Sequence, residues 1–103
     1  MLKRIAVLVS GGGTNLQALL DAQARGELGG GEITAVVSST PGAYALERAR
    51  AAGVPGLYTL PRKDFASSQH YTQAMVGLLK GRVAPDLVVR AGFLVSLTRE
   101  MVE

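Results

Sequence analysis

Residues 5–15 narrow the possible folds more than any other part of the chain. The apolar run Ile5-Ala6-Val7-Leu8-Val9 breaks at Ser10-Gly11-Gly12-Gly13-Thr14-Asn15 and passes at once into a segment of helical period. A buried strand fed through glycines straight into a helix is the opening unit of an α/β sheet. The rest of the sequence repeats that alternation. Strands are expected at 4–9, 33–38, 57–60 and 86–90, and helices at 14–25 and 44–52, with a third capped by Ser67 or Ser68.

The helical periods assign inward faces: Leu16, Leu19, Leu20 and Gln23 on the first, Ala45, Leu46, Ala49 and Ala52 on the second, Tyr71, Met75, Leu78 and Leu79 on the third. Gly26 and Gly53 end the first two helices, Pro41 and Gly42 make a turn, and Gly81 and Pro85 end the third. A helix-like stretch follows at 97–103, with no stop signal after it. The predicted architecture is an open parallel sheet of order 3-2-1-4 with helices on both faces. The strand order then reverses between the first and fourth strands, which is where open α/β sheets bind ligands.

Composition bounds the function classes. At 103 residues, 48% apolar and 18% charged, the chain reads as a single soluble domain over 1–103 with no internal boundary or repeat. Lys3 and Arg4 precede a short apolar run that lacks a cleavage segment, so the start reads as a strand, and no membrane partner is expected. The absence of cysteine excludes disulfides and thiolate metal sites and permits a cytoplasmic location; no metal is expected. A net charge of +3, from 11 basic and 8 acidic residues, suits a small anion better than nucleic acid. Arg48 and Arg50, Arg62 and Lys63, and Lys80 and Arg82 read as solvated faces.

The junction itself points to phosphate. Glycines allow close backbone approach, the first N–H groups of a helix lack intrahelical partners, and the helix dipole is positive there. Thr14 and Asn15 add side-chain donors, although Thr14 is also placed to serve as a simple cap. A dinucleotide fingerprint requires glycine where Leu16 stands and an acidic residue where Ser38 and Ser39 stand. A nucleoside-triphosphate loop requires a lysine, and none occurs between Lys3 and Lys63. A phosphomonoester remains. Residues 91–97, after the fourth strand, face the same crevice, where Phe93 and Leu94 either line a ligand or close the core.

Read together, the opening Ile5 to Ala18 motif, Leu46-Glu47-Arg48-Ala49, and Ala84-Pro85-Asp86-Leu87-Val88-Val89 running on to Ala91-Gly92-Phe93 resemble the glycinamide ribonucleotide formyltransferase family of purine synthesis. The resemblance implies a Rossmann-like formyltransferase fold and 10-formyltetrahydrofolate as cosubstrate. It implies that Gly12, Gly13, Thr14 and Asn15 hold the phosphate of the ribonucleotide substrate, and that Leu94, Val95, Ser96 and Leu97 form one wall of the folate site. Four positions depart from the family pattern. Arg90 and Ser96 stand where it has apolar residues, and Ser68 stands where an arginine commonly meets the folate. Ser39 replaces a more common asparagine, in a structural role.

The family's catalytic Asn, His and Asp have no counterparts here, so the chain is expected to be the truncated phosphate-binding half, inactive by itself. The one histidine, His70, is expected on an exposed helix face without a catalytic role. Two alternatives stand beside this: a non-catalytic phosphoribosyl-binding module, and a related enzyme that uses formyltetrahydrofolate. The fourth strand is expected to be a sheet edge, through which the chain self-associates.

Overall fold

The computed structural model describes residues 3–93. In chain order these form β1 (Lys3–Val9), α1 (Thr14–Ala24), β2 (Gly31–Ser38), α2 (Tyr44–Ala51), β3 (Gly56–Thr59), a 3-10 turn at Arg62–Asp64, α3 (Ser68–Leu78), a π-helical turn at Leu79–Val83, and β4 (Leu87–Arg90). All strand pairs are parallel and the order is β3-β2-β1-β4, as the alternating pattern predicts. None of the helices among the described residues is long and apolar enough to cross a membrane.

The five-residue apolar run of β1 is continuous because the strand is central and covered on both sides; Ile5, Ala6, Val7, Leu8 and Val9 are all buried. Strand alternation sends Ile5, Val7 and Val9 to one face, against Leu16 and Leu20 of α1 and Ala45 and Ala49 of α2. Ala6 and Leu8 go to the other face, against Tyr71 and Met75 of α3 and the buried Leu79 just beyond it. A fully buried leucine such as Leu8 or Leu16 contributes roughly 1.5–3 kcal/mol over an exposed one, so this two-sided core, more than helix propensity, holds the elements in place.

Some expected positions move. Ala52 lies at the end of α2 and is exposed rather than inward, since the helix closes after Ala51. Leu46 and Leu78 are only half-buried, and Thr72, which the apolar period passes over, is fully buried with its hydroxyl donating to Ser68 O at 2.7 Å. The α-helical part of α3 ends at Leu78, ahead of Gly81 and Pro85, and widens into one π turn. Ala84 N–H donates to Leu79 O at 2.6 Å, with Ala84 at φ 46.

Gln23 has a specific task on the inward face. Pairing between β1 and β2 jumps from Ile5↔Ile33 to Ala6↔Ala35, skipping Thr34, and Gln23 Oε1 accepts the Ile33 N–H at 2.6 Å. A polar side chain at that position thereby seats α1 on the start of β2. On the opposite face Tyr71 donates its hydroxyl to Leu60 O at 2.7 Å and meets Phe65 edge-on, with ring centroids 5.3 Å apart. Burial pushes the Tyr71 phenol up to about 12, against a smaller opposing pull from Arg62.

Candidate functional site

Three connections meet at the carboxyl end of the central strands. Residues 10–13 link β1 to α1, residues 39–43 link β2 to α2, and Ala91 and Gly92 follow β4. Ser39 N–H donates to Val9 O at 2.9 Å and Ala91 N–H to Leu8 O at 2.9 Å, so the second and third connections flank the end of β1. The strand order reverses at this point, with β1 between β2 and β4. An ideal Cβ on Gly92, which has φ +71, comes 3.4 Å from Asn15 Nδ2; the fourth-strand turn therefore approaches the start of α1 closely.

The N-terminus of α1 is left open. Its N-cap is Gly13, at φ 84, and no side chain caps the helix. Thr14 is the first helical residue and is not the cap that its type permits. Gly11, Gly12, Thr14 and Asn15 are exposed and Gly13 is half-buried. Among the described residues the backbone N–H groups of Gly11, Gly12 and Gly13 donate to no protein acceptor. The positive end of the helix and unengaged donors thus share one exposed loop. Gly12 and Gly13 end that loop, and Thr14 and Asn15 open α1 beside them.

The glycines are not equivalent. A Cβ on Gly11 or Gly12 meets nothing within 4 Å, which leaves room beside the backbone. A Cβ on Gly13 would lie 2.7 Å from Ala45 Cβ and 2.8 Å from Ala45 Cα. Glycine at 13 is therefore required by its left-handed φ and by the packing of α2 against the loop, more than by an approaching ligand.

The loop is held from the β2–α2 side. Thr40 Oγ1 donates to Ser10 O at 2.7 Å, Ala45 N–H to Gly11 O at 3.3 Å, and Arg48 Nε to Gly12 O at 2.7 Å. Ser10 and Ser39 share a hydrogen bond between their hydroxyls at 2.7 Å, which gives Ser39 the structural role expected of it. Ser38, fully buried, bonds both the N–H and the carbonyl of Thr40 through its hydroxyl. Leu16 is fully buried in the core beneath α1, so the absence of a glycine there has a packing reason.

Arg48 corrects the reading of the basic residues as solvated faces. Besides Gly12 O it donates from Nη1 to Gln17 Oε1 at 3.2 Å, and its guanidinium lies 5.0 Å from the centroid of the Tyr44 ring. A spacing of four residues between Tyr44 and Arg48 on one helix was the only local sign of this. Arg62 departs from that reading too, half-buried with Nη1 donating to Phe65 O at 2.9 Å. Arg50, by contrast, is exposed and paired with Glu47.

His70 is exposed on α3, its backbone N–H and Nδ1 both engaged with Ser67 Oγ, on the sheet face opposite α1. Phe93 is half-buried against the α3-side core, which favours its packing role. Arg90 is exposed and Ser68 is half-buried at the start of α3. Leu94, Val95, Ser96 and Leu97, together with the helix-like 97–103, lie outside the described residues.

The sequence and fold recur in known proteins. The model of the formyl transferase family matches residues 3–103. Phosphoribosylglycinamide formyltransferase of Haemophilus influenzae is 40% identical over 97 residues, covering 94% of this chain and 44% of that protein. The trifunctional purine biosynthetic protein adenosine-3 of Drosophila melanogaster is 42% identical over 101 residues, 97% of this chain and 7% of that protein. Among solved structures, glycinamide ribonucleotide transformylase 1 from Symbiobacterium toebii superposes with a TM-score of 0.86 at 38% identity, covering 98% of this chain and 46% of that one. The chain thus spans less than half the length of these relatives. With a family model matched over residues 3–103 and relatives at about 40% identity across the chain, the chain belongs to the formyl transferase family.

Proposed function

We propose that this chain supplies the substrate-phosphate site of a phosphoribosylglycinamide formyltransferase, which moves a formyl group from 10-formyltetrahydrofolate to the amine of glycinamide ribonucleotide in purine synthesis. The observation that carries it is the uncapped start of α1 behind Gly11, Gly12 and Gly13, at the point where the strand order reverses. The names of its relatives supply the substrate, and the loop supplies a reason for a phosphomonoester.

In that reaction the amine nitrogen attacks the formyl carbon to form a C–N bond. Collapse of the tetrahedral adduct breaks the bond from that carbon to the folate nitrogen, and a proton passes from the amine to that nitrogen. We assign Gly12, Gly13, Thr14 and Asn15 to holding the phosphate and orienting the ribonucleotide, and assign none of them to proton transfer. Residues 94–97 are the proposed wall for the formyl donor, a small-molecule partner; a cytoplasmic location fits both substrates.

The direct test is an assay of formyl transfer by a polypeptide of residues 1–103 beside the natural full-length gene product. The short chain is expected to bind the phosphorylated substrate weakly and to transfer nothing. Comparable turnover by the two would contradict the assignment of binding alone. Inactivity of both, with phosphate binding intact, would favour a phosphoribosyl-binding module. Self-association through β4, an edge strand of the described sheet with Leu87 half-exposed, belongs to the same proposal; light scattering showing only monomer at high concentration removes it.

A further inference from the structure

Three consecutive carbonyls of the loop, those of Ser10, Gly11 and Gly12, accept hydrogen bonds, and all three donors come from one neighbouring segment. The donors are the Thr40 hydroxyl at 2.7 Å, the Ala45 backbone N–H at 3.3 Å and Arg48 Nε at 2.7 Å. No peptide bond among the described residues is cis. In a trans peptide the carbonyl of one residue and the N–H of the next point in opposite directions. Each carbonyl drawn toward 40–48 therefore turns the N–H of Gly11, Gly12 or Gly13 away from that segment. Those are the N–H groups that donate to no protein acceptor among the described residues.

We propose that this carbonyl clamp, with Arg48 as its principal positioning residue, is what makes the loop an anion receptor; the inference rests on the phosphate reading above. A run of three glycines has no intrinsic preference for one set of peptide orientations, because glycine visits both signs of φ readily. Something outside the run must select the orientation. Arg48 is the strongest selector because its bond to Gly12 O is charge-assisted and short. The Arg48 guanidinium is itself fixed, by Gln17 Oε1 of α1 and by the Tyr44 ring. Its Nε is committed to Gly12 O and its Nη1 to Gln17 Oε1, and the role assigned to Arg48 is to position the loop. Glycine at 13 permits the arrangement: a Cβ there would lie 3.2 Å from Arg48 Cδ and closer still to Ala45.

Titration calorimetry on the natural full-length gene product tests this, with inorganic phosphate and glycinamide ribonucleotide as probes and a thermal melt of every variant. Arg48→Met is expected to weaken both ligands about 10-fold, the loss typical of one charge-assisted hydrogen bond. Arg48→Lys, which keeps a donor but loses the fork, recovers part of that. Thr40→Val removes a neutral donor without changing charge and is expected to weaken both ligands about 3-fold. In steady-state kinetics the loss falls on KM for the ribonucleotide and not on KM for the formyl donor.

Wild-type phosphate affinity in both Arg48→Met and Thr40→Val, with both folded, overturns the clamp. Weak binding in Arg48→Met alone, with Thr40→Val like wild type, also overturns it, because charge rather than orientation is then at work. Should Arg48→Met fail to fold, Thr40→Val decides. The underlying phosphate reading fails separately, and visibly, if the wild-type protein binds dephosphorylated glycinamide riboside as tightly as the ribonucleotide.

Discussion

α1 and α3 are both 11-residue helices of one fold, yet their N-termini are finished in opposite ways. Ser67 caps α3, its Oγ accepting the His70 N–H at 3.2 Å, so part of the helix's own demand is met locally. α1 begins at Gly13 in a left-handed conformation with no side-chain cap. A serine, asparagine or aspartate cap is worth about 1 kcal/mol, and a loop that served only as a turn would gain by having one. The Ser10 to Gly12 carbonyls are nevertheless held with care, by three donors from 40–48. The contrast teaches that α3 is completed by its own chain, while the start of α1 is left unfinished by it, and the proposed function assigns that opening to an acceptor from outside.

The sharpest break in that contrast comes from the glycines. Gly13→Val combines a left-handed φ with a contact to Ala45 that no side chain can relieve without moving α2, so it is expected to destabilise the fold by about 3 kcal/mol or more. Gly12→Ala adds a methyl to open space, and a thermal melt should place it within a few degrees of wild type while its phosphate affinity falls. Equal melting temperatures for the two variants would show that α2 does not press on the loop.

Next in size is the effect of the ligand itself. Inorganic phosphate at about 100 times its Kd should stabilise the wild-type protein by about 2.7 kcal/mol and the Gly12→Ala variant less at the same concentration. Ser67→Ala should cost about 1 kcal/mol in a denaturant melt and leave phosphate affinity alone. A loss of phosphate affinity from that change, far from the loop on α3, would dissolve the distinction between the two helix ends.

The last expected effect belongs to the α3 face and appears only at alkaline pH. Tyr71 titrates at about 12 in the folded chain against 10.0 ordinarily, so the folded state holds its proton more tightly. Its contribution is present below pH 10 and is lost as the pH rises toward 12. Tyr71→Phe should flatten that alkaline fall in a pH series of melts, and an unchanged slope would point to another group.

Much of this was legible because it is local. The apolar run of β1, the periods of α1 and α2, and the order 3-2-1-4 follow from patterns within a few residues or from the rules of parallel connection. The loop residues Gly12, Gly13, Thr14 and Asn15 could be singled out as candidates because a glycine junction and its helix are contiguous. Arg48 was not, since its partner Gly12 lies 36 residues away and a charged helix residue carries no mark of a distant backbone acceptor. The reason for Gly13 was hidden for the same cause: Ala45 is near it only after α2 docks. Gln23 shows the reverse case, a polar residue whose inward position was readable but whose acceptor role needed the skipped residue in β2 to be seen.

The central claim is that the open start of α1 receives the substrate's phosphate, and amide NMR of the natural full-length gene product measures it residue by residue. Titrated with glycinamide ribonucleotide and, separately, with inorganic phosphate, the N–H signals of Gly11, Gly12, Gly13, Thr14 and Asn15 should shift first and furthest with both ligands. Those of Ser67, Ser68 and His70 at the capped end of α3 should stay in place with inorganic phosphate. Shifts of equal size at the two helix ends, or none in the glycine loop while the ribonucleotide binds, would contradict the account.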